Sequence, residues 1–107
     1  MAYYRLPEKE LRAYCEAVMG KYGFNEKQSR DIADILLTAD LQGLESHGVQ
    51  RLIRYHRGVK SGVIRPDAVP EVVHETPLSV VLDAHSAVGQ IAAVDAMERA
   101  IAKAKQY

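Results

Sequence analysis

Ser46-His47-Gly48-Val49-Gln50-Arg51 is the stretch of this chain with the residue types for chemistry. His47 and Arg51 stand four residues apart. On a helix that spacing puts two side chains on one face, within reach of one small molecule. An arginine can hold a carboxylate through two parallel hydrogen bonds. A histidine beside it can give or take a proton near neutral pH. The pair suits a 2-oxo or 2-hydroxy acid, with Arg51 on the carboxylate and His47 on the neighbouring oxygen. Spacing alone does not separate such a site from two ordinary helix-surface residues, and Ser46 is adequately explained as a helix cap. A helix starting at Ser46 would place His47 at its positive end, which disfavours imidazolium and offers free backbone N–H groups to an anion. A proton donor there needs a carboxylate partner, expected from elsewhere in a longer chain rather than from the adjacent Glu45.

The elements that must position this stretch follow from the apolar spacing. Leu11, Tyr14, Cys15, Val18, Met19 and Tyr22 recur at intervals of three and four, after Pro7 and before Gly23, which predicts a capped amphipathic helix. Asn25 and Gln28 have the spacing of a capping box for a second helix from about Glu26 to Gln42, with Ile32, Ile35, Leu36, Ala39 and Leu41 on its apolar face. Gly43 ends it. A third helix is predicted from Ser46 to about Ser61-Gly62. At about 100° per residue, Val49, Leu52, Ile53, His56 and Val59 share one side of it. His47, Arg51, Arg54 and Gly58 share the other, so His47 and Arg51 are expected to face solvent or a cleft. Residues 64–70 carry two prolines and read as an extended connector. Glu71–Glu75 and Leu78–Asp83 read as the two strands of a β-hairpin with a turn at Thr76-Pro77. A last helix over 87–106 has Ala93, Val94, Met97, Ala100, Ile101 and Ala104 on its apolar face, and Asp95 and Arg99 spaced to pair. The fold class is mainly α: a three-helix domain, then a hairpin and helix that begin an α+β domain. A two-stranded sheet with one helix is an incomplete layer, so the chain is expected to be part of something larger.

The remaining features exclude more than they suggest. Fourteen Lys and Arg balance fourteen Asp and Glu among 107 residues, so there is no electrostatic reason to expect nucleic acid or an anionic membrane as partner. No apolar run has signal-peptide or membrane-span length, and the expectation is a soluble cytoplasmic protein. The single cysteine, Cys15, lies among apolar neighbours and reads as core. His56 lies half a turn round from His47 and reads as a satisfied core histidine; His74 falls in a strand and His85 in a turn. No HxH, HExxH or CxxC pairing exists, so no zinc site is expected. Neither GxGxxG nor GxxxxGK[ST] is present, and Gly89 alone makes no phosphate loop.

Over Ala39-Asp40-Leu41-Gln42-Gly43-Leu44-Glu45-Ser46-His47-Gly48-Val49-Gln50-Arg51-Leu52, followed by Tyr55 and Gly62-Val63-Ile64, the sequence resembles the malate/L-lactate dehydrogenase family of NAD(P)-dependent oxidoreductases. That family is distinct from the Rossmann-type lactate and malate dehydrogenases and includes ureidoglycolate, L-sulfolactate and 2,3-diketogulonate dehydrogenases or reductases. The Asp-x-x-Gly-x-x-Ser-His-Gly-x-x-Arg pattern is the specific part. Asp83, Val88-Gly89-Gln90 and the segment 96–105 extend the likeness over nearly the whole chain.

The resemblance implies that His47 is the catalytic proton donor or acceptor, Ser46 its active-site neighbour and Arg51 the residue that binds the substrate carboxylate. It implies NAD or NADP as cofactor, bound mostly by regions absent from this chain, a 2-oxo/2-hydroxy acid substrate, and a homodimer or other homo-oligomer. Residues 1–69 would be the helical domain carrying the motif, and 70–107 the start of the cofactor-binding domain. Family members are much longer, so this chain is expected to be an N-terminal portion with no dehydrogenase activity alone. The alternative is a catalytically silent helical module that self-associates or binds a partner.

Overall fold

The computed structural model describes residues 3–107, which divide into two compact units, one up to His56 and one from Arg57 to Tyr107.

In the first unit, helix α1 spans Glu8–Lys21 directly after Pro7, with Glu8 and Glu10 in the first turn. Pro7 has no N–H to leave unpaired there, and the acids favour the positive end of the helix. The helix closes through Gly23, whose φ of 101° is the left-handed geometry that glycine adopts freely. Gly23 N donates to Gly20 O and Phe24 N to Met19 O. Helix α2 spans Glu26–Leu41. Its capping box forms as the sequence predicts: Gln28 N donates to Asn25 Oδ1 at 2.8 Å and Asn25 N to Gln28 Oε1 at 3.0 Å. Gly43, at φ 80°, terminates α2, with Leu44 N donating to Ala39 O at 2.8 Å.

The core of this unit is Cys15 and Met19 of α1, Phe24, and Ile32, Ala33, Leu36 and Leu37 of α2. It is centred one residue round from the predicted α2 face: Ile35 is 37% and Leu41 69% exposed, and Tyr14 of α1 is 60% exposed. Ser29, Ile32, Ala33, Leu36 and Leu37 are the series that α2 buries. Arg12 ties the helices together, donating to Glu8 on its own helix and to Asp34 Oδ1 of α2 at 2.9 Å.

The predicted third helix does not start at Ser46. Two 3₁₀ turns, Glu45–His47 and Val49–Arg51, come first, and α3 spans Leu52–Ser61. Gly48 separates the turns in an extended conformation (φ −92°, ψ −149°), so a single helical projection across 46–57 does not hold. The predicted stripe survives only at Val49, Leu52 and Val59, which are half-buried, while His47 is exposed as expected. Ile53 is 61% exposed, and His56 is exposed rather than in the core, its Nδ1 hydrogen-bonded to the Tyr22 hydroxyl.

The second unit takes the end of α3 through Gly62 (φ 80°) into a connector in which Ile64 N donates to Gly58 O and Arg65 N to Ser86 O. Strands β1 (Glu71–Thr76) and β2 (Ser79–Asp83) pair antiparallel, Glu71 opposite Asp83 and Thr76 opposite Ser79, with a bulge between Val72 and His74. Helix α4 spans Gly89–Gln106 and lies along β2. Asp95 and Arg99 pair at 2.9 Å, as their spacing predicts. The predicted apolar face of α4 is not its buried one: Met97 is 60% and Ile101 47% exposed. Lys103 makes the bond to the hairpin instead, its Nζ reaching Thr76 O at 2.7 Å and Glu75 Oε1 at 2.9 Å. A long lysine stem can cover apolar surface while its ammonium stays at the rim.

The described residues thus form three helices, a β-hairpin and a fourth helix, the expected mainly helical start of an α+β protein. No helix among them is long and apolar enough to cross a membrane.

Candidate active site

The two 3₁₀ turns place all three residues singled out by the sequence in one short segment. Ser46 joins the other two. Its Oγ lies 2.8 Å from His47 Nδ1, and its carbonyl accepts from Arg51 Nε at 2.6 Å. Ser46 is therefore a bridge within the segment and not a helix cap: the first turn starts after Leu44 with no side-chain cap.

These bonds use one end of each functional group and leave the other. With Nδ1 committed to Ser46, Nε2 is the remaining ring nitrogen of His47, and His47 is exposed. An imidazole held through Nδ1 has a defined ring orientation and can exchange a proton at Nε2. With Nε committed to Ser46 O, the two terminal nitrogens of Arg51 form the fork that binds a carboxylate in two parallel bonds. Among the described residues Arg51 has no carboxylate partner, although it is half-buried. A half-buried guanidinium with no counter-ion is a ready receptor for an anionic ligand.

The anion-binding helix terminus expected at Ser46 is not present. The amides there are already used: His47 N donates to Leu44 O, Gly48 N to Glu45 O, Val49 N to Asp40 Oδ2 and Arg51 N to Gly48 O. The α-helix proper starts five residues further on, so its dipole does not act at His47 as predicted. Glu45 does not bond to the His47 ring. Its carbonyl instead accepts from Gln50 Nε2 at 2.5 Å, a second tie across the turns.

Two residues near the site carry more than the sequence suggested. Asp40 accepts from Val49 N at 2.8 Å, linking the end of α2 to the second turn. Its signal in the sequence was its place at the head of the Asp-x-x-Gly-x-x-Ser-His-Gly-x-x-Arg pattern. Gly48 is buried against it. A cleft of about 750 Å³ borders the segment, lined by Tyr4, Leu11, Asp40, Glu45, Val49 and Gln50 among others; Ser46, His47 and Arg51 are not in its lining.

Elsewhere, His85 sits at the open end of the hairpin in the left-handed region (φ 50°). Its Nε2 lies 2.7 Å from Glu71 Oε2, and its backbone N donates to Asp83 Oδ1 at 2.8 Å, which holds the turn. Among the described residues, no group of three or more His, Cys, Asp and Glu side chains could hold a metal ion.

Comparison with known proteins gives the family. The family model described as malate/L-lactate dehydrogenase matches residues 6–107. The chain is 40% identical over 104 residues to a malate dehydrogenase of Pyrococcus abyssi, covering 97% of the chain and 29% of that protein. It is 37% identical over 99 residues to an L-sulfolactate dehydrogenase of Methanocaldococcus jannaschii, covering 92% of the chain and 29% of that protein. The structure of a malate dehydrogenase from Pyrococcus horikoshii superimposes with a TM-score of 0.93 at 38% identity, over 97% of this chain and 30% of that one. The chain thus spans about 29% of the length of the curated relatives it matches, and at the level of sequence and fold alike it belongs to the malate/L-lactate dehydrogenase family.

Proposed function

We propose that this chain supplies the proton-transfer and carboxylate-binding residues of an NAD(P)-dependent oxidoreductase that interconverts 2-oxo and 2-hydroxy acids. The observation that carries the reading is the double use of Ser46. One residue orients both the imidazole and the guanidinium, leaving His47 Nε2 and the Arg51 fork for a ligand. Arg51 binds the substrate carboxylate. His47 Nε2 then meets the oxygen on the adjacent carbon, donating a proton on reduction of the ketone and accepting one on oxidation of the alcohol. On donation, Ser46 Oγ accepts from Nδ1–H and so supports the charged ring until the proton has left. The nicotinamide, NAD or NADP, supplies or accepts the hydride when bound. Residues 1–69 form the domain carrying the motif and 70–107 begin the cofactor-binding domain. The protein is a cytoplasmic homodimer, or another homo-oligomer, in this reading.

The role of Arg51 is tested by Arg51→Ala in the longest polypeptide its gene encodes. A charge-assisted pair of this kind contributes about 1.5–3 kcal/mol, so KM for the 2-oxo acid should rise roughly 10- to 100-fold, with KM for the nicotinamide unchanged. An unchanged KM for every acid tried would remove Arg51 from the substrate.

A second reading, a catalytically silent partner-binding module, draws on the exposed apolar residues of α4, Met97 and Ile101. NADH and NADPH titration with light scattering separates the two: the module self-associates or binds a partner without binding cofactor in any form of the gene product.

A further inference from the structure

We propose that Asp40 is a positioning residue for His47 and Arg51, acting as a latch that fixes the backbone between them. The proposal rests on the reading of His47 and Arg51 given above.

Asp40 lies in the last turns of α2, an element fixed by its capping box at one end and Gly43 at the other. From there its half-buried carboxylate accepts from Val49 N at 2.8 Å. A Cβ added to Gly48 would overlap the carboxylate carbon and both oxygens of Asp40. The carboxylate therefore occupies the volume that the missing side chain leaves open. Gly48 has φ −92°, outside the left-handed region, so its glycine is required by space and not by torsion. Two independent features, one polar and one steric, thus fit Asp40 to residues 48 and 49.

The latch explains why the segment is two 3₁₀ turns. Val49 N is diverted to Asp40, and Arg51 N returns only as far as Gly48 O, at 2.9 Å. His47 precedes the latched pair directly and Arg51 follows it after one residue. Ser46 can then bond His47 with its hydroxyl and Arg51 with its carbonyl. Without the carboxylate the segment is free to continue as ordinary helix, which would draw the Ser46 carbonyl into a backbone bond and release Arg51 Nε. Asp40 itself need touch no substrate.

The test is a double-mutant cycle of Asp40→Ala, Gly48→Ala and the pair, with Asp40→Asn as the conservative variant. In the 107-residue chain, amide exchange and the histidine ring signals are followed by NMR. In the longest polypeptide the gene encodes, kcat and KM for a 2-oxo acid with NADH or NADPH are measured. Misplacing reacting groups by about an ångström costs on the order of 100-fold. Asp40→Ala should lower kcat/KM by about that much, with protection lost at Val49 while the α1 and α2 amides keep theirs. Asp40→Asn, which keeps an acceptor in the same place, should recover most of the loss. Gly48→Ala should cost as much as Asp40→Ala in the wild-type background and almost nothing in the Asp40→Ala background, because both break one latch. Costs that multiply, or His47 and Val49 signals that do not move in Asp40→Ala, would overturn the proposal. If the wild-type protein turns over no 2-oxo acid, the functional reading fails instead, and the NMR arm still decides whether Asp40 positions His47.

Discussion

Ser46 shows how little of a site can be read from residue type alone. Serine before a helical stretch is most simply a cap, and here it caps nothing. Its hydroxyl orients His47 and its carbonyl orients Arg51. The histidine and arginine were legible because their chemistry belongs to the side chains themselves. The Asp40–Gly48 fit was not, because it is a steric relation across eight residues that exists only once α2 has ended and the chain has turned. Cys15 was legible for the opposite reason: apolar neighbours at helical spacing already imply burial. It is fully buried, and burial first, then the nearby Asp40 charge, pushes its thiol pKa up. Only the thiolate alkylates. Iodoacetamide at pH 8 should therefore leave Cys15 unmodified in the native chain and label it rapidly in denaturant; fast native labelling would contradict the packing described.

Among the elements, α2 was the most legible. Asn25, Gln28 and Gly43 are local signals that act within one turn, and each does what the sequence implied. Helix α3 was the least legible, because the helical phase was started at Ser46 and the helix starts at Leu52. Ile53 and His56, read onto the apolar side, are exposed, whereas His47 and Arg54, read onto the open side, are exposed as expected. Helix α4 was found, and the apolar face read for it is exposed at Met97 and Ile101. Lys103 bonds the hairpin. Its hydrogen bond, then its charge, lowers the Glu75 pKa below the ordinary 4.5. A lowered carboxyl stabilises the fold above its unfolded value, and that contribution disappears as pH falls through the folded value. Thermal unfolding of the wild type and of Lys103→Met should therefore differ at pH 7 and converge as the pH falls below the ordinary carboxylate range. The part that remains in acid belongs to the bond from Lys103 Nζ to Thr76 O; a difference that does not shrink at all in acid would mean that Glu75 contributes nothing. Glu75 is exposed enough that the difference at pH 7 should be small and should shrink with added salt.

For the molecule as a whole, the sequence made the order of elements plain: three helices, a hairpin, a helix. It also implied incompleteness, because a two-stranded hairpin with one helix cannot bury both of its faces. Met97 and Ile101 of α4 and Leu78 and Val81 of the hairpin are exposed, as that expectation implies. Ser46, His47 and Arg51 lie in the first unit, in a segment tied to α2 by Asp40 and internally by Ser46 and Gln50. The placing of these three side chains thus rests on local bonds.

The most direct measurement of the central claim is the proton step at His47. In the longest polypeptide the gene encodes, kcat is measured for a panel of 2-oxo acids with NADH and with NADPH, in the wild type and in His47→Gln. Loss of a positioned acid or base costs roughly 10²- to 10⁴-fold, so kcat should fall by that much while Arg51 keeps KM for the acid near its wild-type value. A His47→Gln enzyme that keeps kcat within about twofold of the wild type would show that the proton is handled elsewhere.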